Sequence, residues 1–302
     1  MNPAFVWSPA YEIDIGRHVF PTNKFRLFKE GLVARGRLSD DQVIPSPRAT
    51  DEELLTALRP EYLRDLTAAV RVPSVGRSEL PINRTIIESM RITAGGTLLA
   101  AREALRRGAA FHLGGGYHHA YHDHAEGFCY INDIAVAAAV LVREAAVQRV
   151  AVIDTDVHQG NGTAAIFRNR PEVFTFSIHQ EDLYPRVKEQ SDLDIGLEDR
   201  PGEARYLSEL ERGVRTALDW HRPDLVIYAA GVDCFEDDQL GGMGLSFAAM
   251  AARDRLVLDA CVARRIPFVT VTAGGYARRL QDTVDLHVQT VEQGLAALLS
   301  PP

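Results

Sequence analysis

Cysteine is scarce in this 302-residue chain. There are three, Cys129, Cys234 and Cys261, an odd number with no CxxC spacing. That excludes a disulfide framework and a structural cysteine–zinc site, and it points to a reducing, cytoplasmic setting. Basic charge is also short. The 33 Lys and Arg are outnumbered by 41 Asp and Glu, giving a net charge of -8, so the basic patch or tail of a nucleic-acid binder is missing. An acidic surface suits a cationic substrate, although most of this charge serves solubility. No stretch approaches the roughly 20 apolar residues needed to span a bilayer. The N-terminus lacks the basic and apolar regions of a signal peptide. There is no internal repeat and no low-complexity tract.

The bulk composition is ordinary: 46% hydrophobic and 25% charged residues. The length suits one large α/β domain spanning 1–302. Short apolar runs at 109–113, 150–153, 173–178, 225–230 and 268–272 read as strands buried on both faces. Helical patterns fill 85–107, 132–146, 203–221, 247–264 and 283–299. The alternation predicts a mostly parallel sheet flanked by helices. Asp51 before Glu52-Glu53 reads as a helix N-cap, and Arg106-Arg107-Gly108 as a helix end. Residues 38–51 and 71–84, rich in Pro and polar residues, read as surface loops.

The informative positions lie just beyond the ends of four of the runs. After 109–113 come Gly114-Gly115-Gly116-Tyr117-His118-His119, and after 150–153 come Asp154-Thr155-Asp156-Val157-His158. After 225–230 comes Gly231-Val232-Asp233, and after 268–272 comes Ala273-Gly274-Gly275-Tyr276. Ligands of open parallel sheets bind beyond the carboxyl ends of the strands, so these four ends should converge. If the strand runs on through Asp154, Asp156 and His158, its period of two sends all three to one side. Asp156, His158 and, from a neighbouring strand end, Asp233 make a ligand set for zinc with a fourth position left for water. The competing reading makes Asp154 and Asp156 cap or turn residues of the next helix. His118 and His119 suit a general base and a general acid; alternatively they are loop histidines or, with His122 and His124, a secondary metal patch. Tyr276 could donate to a developing oxyanion, although a Gly-Gly-Tyr turn alone is more often structural.

These segments, together with Glu126-Gly127-Phe128-Cys129-Tyr130 and Gln159-Gly160-Asn161-Gly162, resemble the histone deacetylase superfamily over roughly 18–277. The Gln-Gly-Asn-Gly stretch and the compact length look most like class IV, the histone deacetylase 11-like group. The resemblance implies a three-layer arginase/deacetylase-like fold and zinc-dependent hydrolysis of an acyl-lysine or a similar acylated amine. It implies that Asp154 supports His118, that Asn161 orients His119, and that Gly127, Phe128, Tyr184, Gly274 and Gly275 line the substrate channel. It also implies a structural potassium ion near Asp154, Asp156, His158, Ser177 and Ile178. In class I deacetylases the position of Asn161 is usually aspartate, whereas asparagine matches other classes; a neutral partner favours the imidazolium of His119 less. Three rivals remain. An acetylpolyamine amidohydrolase would use the same chemistry. A two-metal ureohydrolase is disfavoured by neutral Thr155, Val157, Gln159 and Asn161. The third is a catalytically silent acyl-lysine binding module. Oligomeric state is not legible.

Overall fold

In the computed structural model, which describes residues 2–299, eight strands form one sheet. In chain order they are β1 (Ala4–Trp7), β2 (Val43–Pro45), β3 (Ala109–His112), β4 (Val150–Asp154), β5 (Val173–Gln180), β6 (Leu193–Leu197), β7 (Leu225–Ala229) and β8 (Phe268–Val271). The spatial order is β2-β1-β3-β8-β7-β4-β5-β6, and every neighbouring pair is parallel. The helices are α1 (Lys24–Ala34), α2 (Asp51–Leu54), α3 (Pro60–Ala68), α4 (Arg84–Arg107), α5 (Asp133–Arg143), α6 (Asn161–Phe167), α7 (Glu203–His221), α8 (Phe247–Ala263) and α9 (Leu280–Leu299).

The unbroken apolar runs are explained by two cores. In β4, Val150 and Val152 face the core under α4 and α5, while Ala151 and Ile153 face the core under α7, α8 and α9. β7 alternates in the same way, with Leu225, Ile227 and Ala229 on one side and Val226 and Tyr228 on the other. A strand covered on both faces has no polar side to show. The three-layer α/β architecture is therefore the one expected.

Several local expectations change. Thr50 caps α2, accepting a hydrogen bond from Glu53 N in a capping box, and Asp51 is the first helical residue. The Thr50 hydroxyl reaches the third backbone amide, which satisfies a donor that has no intrahelical partner. The segment 38–51 is not all loop, because β2 pairs in register with β1 there. β5 runs two residues past the expected end, to Gln180. β4 stops at Asp154 instead of continuing to His158. Beyond it, Asp154 Oδ1 accepts from Asp156 N at 3.1 Å and Asp156 Oδ1 accepts from His158 N at 3.0 Å. Two successive side-chain-to-backbone turns, rather than strand pleating, thus bring the acidic groups and the imidazole together.

Candidate active site

The four strands whose ends carry the polar motifs are consecutive in the sheet: β3, β8, β7 and β4. Their carboxyl ends therefore share one rim. Asp156, His158 and Asp233 are all buried there, with one ligand atom from each lying within 4.8 Å of the others. His158 Nδ1 is 3.1 Å from Asp156 Oδ1 and 3.2 Å from Asp233 Oδ2.

The backbone fixes both carboxylates. Asp233 Oδ1 accepts from Val157 N at 2.8 Å, and Asp156 Oδ2 accepts from Gly274 N at 2.7 Å. Gly274 can approach this closely because it has no side chain; a Cβ there would collide with both Asp233 Oδ2 and Asp156 Oδ2. Asp233 Oδ2 is buried with no hydrogen-bond donor. Burial, followed by the charge of Asp156, pushes the Asp233 carboxyl up to about 7. Burial opposes charge on His158, but Asp156 and Asp233 outweigh it and carry the imidazole up to about 10. With its proton, His158 supplies the positive charge that two buried carboxylates call for; a divalent cation would take that place and leave the imidazole neutral as a ligand. Oxygen and nitrogen donors in this number fit a divalent cation with an open coordination position. His122 and His124 do not join such a cluster among the described residues. His124 instead contacts Asp123 and Glu126 near the surface.

His118 and His119 lie beside the cluster, their Nε2 atoms 3.1 Å apart, and each has a different partner. His118 Nδ1 is 2.7 Å from Asp154 Oδ2. Burial lowers its pKa, but Asp154 and then Asp156 reverse this and bring it to about 9. His119 Nδ1 is 2.6 Å from Asn161 Oδ1, in the first turn of α6. Burial, then the positive charges of His118 and His158, hold His119 well below the usual imidazole range. The two rings thus differ in their partners, a carboxylate for His118 and a neutral amide for His119.

Above them opens a cavity of about 250 Å³ that includes His118, His119, Asp156, His158, Gly274 and Tyr276 in its wall. Gly127, Phe128 and Tyr184, expected in the channel, line it as well. The Tyr184 ring centroid is 5.0 Å from that of His119 and 6.2 Å from that of His158. Gly275 does not line the cavity; it packs behind the wall against Val232 and Thr283. Burial, then the charges of Asp156 and Asp233, raises the Tyr276 phenol well above its usual range, so it stays protonated. Asp154 and Ser177 pair in register across β4 and β5, next to buried Ile178.

Three supporting residues lie outside the motifs legible in the sequence. Asp238 accepts from Tyr276 N at 2.7 Å and from Leu240 N at 2.8 Å, tying the two rim loops together. Lys24, fully buried, donates to Ala273 O at 2.8 Å and faces the rings of Phe20, Phe25 and Tyr276. Arg253 donates to the carbonyls of Thr155 and Gly231, one beside each ligand-bearing loop. Asp238, five residues past Asp233 in a glycine-rich turn, carries a faint local signal. Lys24 and Arg253 leave none, since their partners are 249 and 98 or fewer residues away.

A buried cation site with paired histidines, on the carboxyl rim of a parallel sheet, defines a metal-dependent hydrolase of the arginase/deacetylase fold. The chain belongs to the histone deacetylase family, whose domain matches residues 18–291. It is 37% identical over 285 residues to an uncharacterized protein of Picosynechococcus, covering 93% of this chain and 95% of that one. It is 34% identical over 282 residues to a histone deacetylase-like amidohydrolase of Pseudomonas aeruginosa, covering 85% and 72%. Among solved structures, an acetylpolyamine aminohydrolase from Burkholderia pseudomallei is similar with a TM-score of 0.80 at 23% identity, over 98% of this chain and 99% of that one. A histone deacetylase homologue from Aquifex aeolicus gives 0.82 at 23%, over 97% and 84%. At such identities these two speak for the fold.

Proposed function

We propose that the protein is a zinc-dependent deacylase that hydrolyses the amide of an acyl-lysine or a closely similar acylated amine. The observation that carries this reading is the unequal histidine pair beside the Asp156–His158–Asp233 cluster at the foot of the cavity. Asp156, His158 and Asp233 would hold the zinc, which would supply Lewis acidity toward the acyl carbonyl and the attacking water. His119 donates its Nδ1 proton to Asn161 Oδ1, which leaves Nε2 with a lone pair. It takes the proton as water attacks and returns it to the leaving amine. His118, held by Asp154, contributes electrostatically. Tyr276 donates its phenolic proton to the developing oxyanion. Phe128, Tyr184, Leu183 and Leu240 in the cavity wall suit the aliphatic stem of a linear amine.

Finer parts of the reading have their own support. A structural potassium ion beside Asp154, Asp156, His158, Ser177 and Ile178 is proposed from the resemblance, and those residues are buried and contiguous. Three free, buried thiols fit the reducing cytoplasm. Class IV character brings the idea of long acyl groups. Buried apolar residues in the cavity lining, Phe25, Tyr117 and Cys129, favour it. The glycine run does not, because a Cβ on Gly116 would collide with Ala273. One observation favours an acylated polyamine as the alternative substrate: Glu79, exposed and at φ 64°, brings a carboxylate to the cavity, where a second ammonium would be attracted.

The deciding experiment gives the zinc-loaded protein acetyl-, octanoyl- and myristoyl-lysine peptides alongside acetylated polyamines. Lysine peptides should be hydrolysed best, with longer acyl groups ahead of acetyl. Preference for polyamines would transfer the assignment to the alternative, and no turnover of any member would leave only a binding module.

A further inference from the structure

Asp154 reaches His118 directly, whereas His119 meets only a neutral amide. An amide presents an accepting oxygen and a donating nitrogen, and the two ways round have opposite consequences for His119. With Oδ1 toward the ring, Nδ1 must carry the proton and Nε2 is the basic atom. With Nδ2 toward the ring, Nε2 carries the proton and cannot accept one. The His118 Nε2, 3.1 Å from the His119 Nε2, bears on that choice from one side of the ring; the amide and its own partners bear on it from the other.

On its far side, the Asn161 Nδ2 donates to the Tyr121 hydroxyl and to Glu126 Oε1, both at 3.1 Å. A hydroxyl can turn and either donate or accept, so Tyr121 alone does not select an orientation. An ionised carboxylate only accepts. Reversing the amide would set Asn161 Oδ1 against Glu126 Oε1 with no proton between them. Glu126 is kept ionised by its surroundings. The His124 hydrogen bond holds its carboxyl below the usual range, against burial and with help from Tyr184. His124 Nε2 lies 3.3 Å from Oε2, and Arg77 Nη1 lies 4.0 Å away. Its backbone is fixed too: Glu126 N donates to Cys129 O at 3.0 Å, and Cys129 N returns a bond to Glu126 O at 2.8 Å.

We propose that Glu126 is a positioning residue for the reaction: through the Asn161 amide it decides which nitrogen of His119 carries the proton. Both histidines thus answer to a carboxylate, His118 directly and His119 through one amide. The inference goes beyond the proposed function but rests on its reading of His119 as the base.

The test begins without substrate. In zinc-loaded protein, the ¹⁵N shifts of the His119 ring are assigned by difference from His119→Gln. Wild type should show Nδ1 protonated. In Glu126→Gln, whose side chain can accept or donate, the Nε2-protonated form should appear and kcat should fall on the order of tenfold. Glu126→Asp keeps an acceptor and should retain the wild-type tautomer; this variant carries the test if Glu126→Gln does not fold. In an Asn161→Asp background the partner of His119 can only accept. There, Glu126→Gln should change kcat by less than about twofold relative to Asn161→Asp. Retention of the wild-type tautomer in Glu126→Gln would overturn the proposal. So would Nε2 protonation in Glu126→Asp, or an equal kcat loss in both backgrounds, which would trace the effect to Tyr184 or to packing. Because the tautomer is read with no substrate present, an inactive preparation and a wrong proposal remain distinguishable.

Discussion

The floor of the cleft and its walls are built differently. The floor consists of residues two to seven positions past strand ends, and its two carboxylates are held by backbone amides: Val157 N on Asp233 and Gly274 N on Asp156. The walls are loop residues, Phe128, Leu183, Tyr184 and Leu240, held by contacts among the loops themselves: Phe128 N donates to Ser78 O and Leu240 N to Asp238 Oδ1. A floor anchored to a sheet keeps its geometry and so fixes the chemistry. Walls on loops can change length and composition without disturbing it. Reaction type should therefore be a property of the floor, and substrate choice a property of the walls.

Three substitutions would break or sharpen that division. Asp233→Ala removes a cation ligand and should lower hydrolysis by at least about a thousandfold, since a Lewis acid contributes several kcal/mol. Elemental analysis should find the zinc lost, and activity persisting without zinc would dismantle the floor as described. Tyr276→Phe deletes one oxyanion donor and should reduce kcat by about 10²–10³, with zinc content unchanged. Wild-type turnover would strip Tyr276 of its role. Phe128→Ala takes an apolar contact from the wall and should raise KM about tenfold while kcat stays within about threefold. A fall in kcat with constant KM would mean that wall and floor are not separable.

Much of the floor is legible in the sequence for the same reason that it is rigid. An apolar run buried on both faces and ending at once in Asp, His or Gly is an unusual juxtaposition, and burying such groups is unfavourable unless they have partners. β4 and the Asp154–His158 segment carry that signal plainly, even though turns rather than strand pleating shape the chain after Asp154. The walls carry no comparable signal. Phe128 and Tyr184 are placed by resemblance alone, and nothing local connects Glu126 with Asn161 or Lys24 with Ala273. β1, β2 and β6 escape detection on different grounds. The first two have only four and three residues, too few to display a period. β6 is an edge strand whose polar and apolar residues alternate within Leu-Asp-Ile-Gly-Leu.

Lys24 has one more consequence. The chain has only three lysines, at 24, 29 and 188. The first is sealed inside the core. Lys29 is paired with Asp40 and lies over the Trp7 ring. Lys188 donates to the carbonyls of Leu183 and Pro185. All three ammonium groups are engaged, so the molecule offers reactive acyl donors very little free amine of its own.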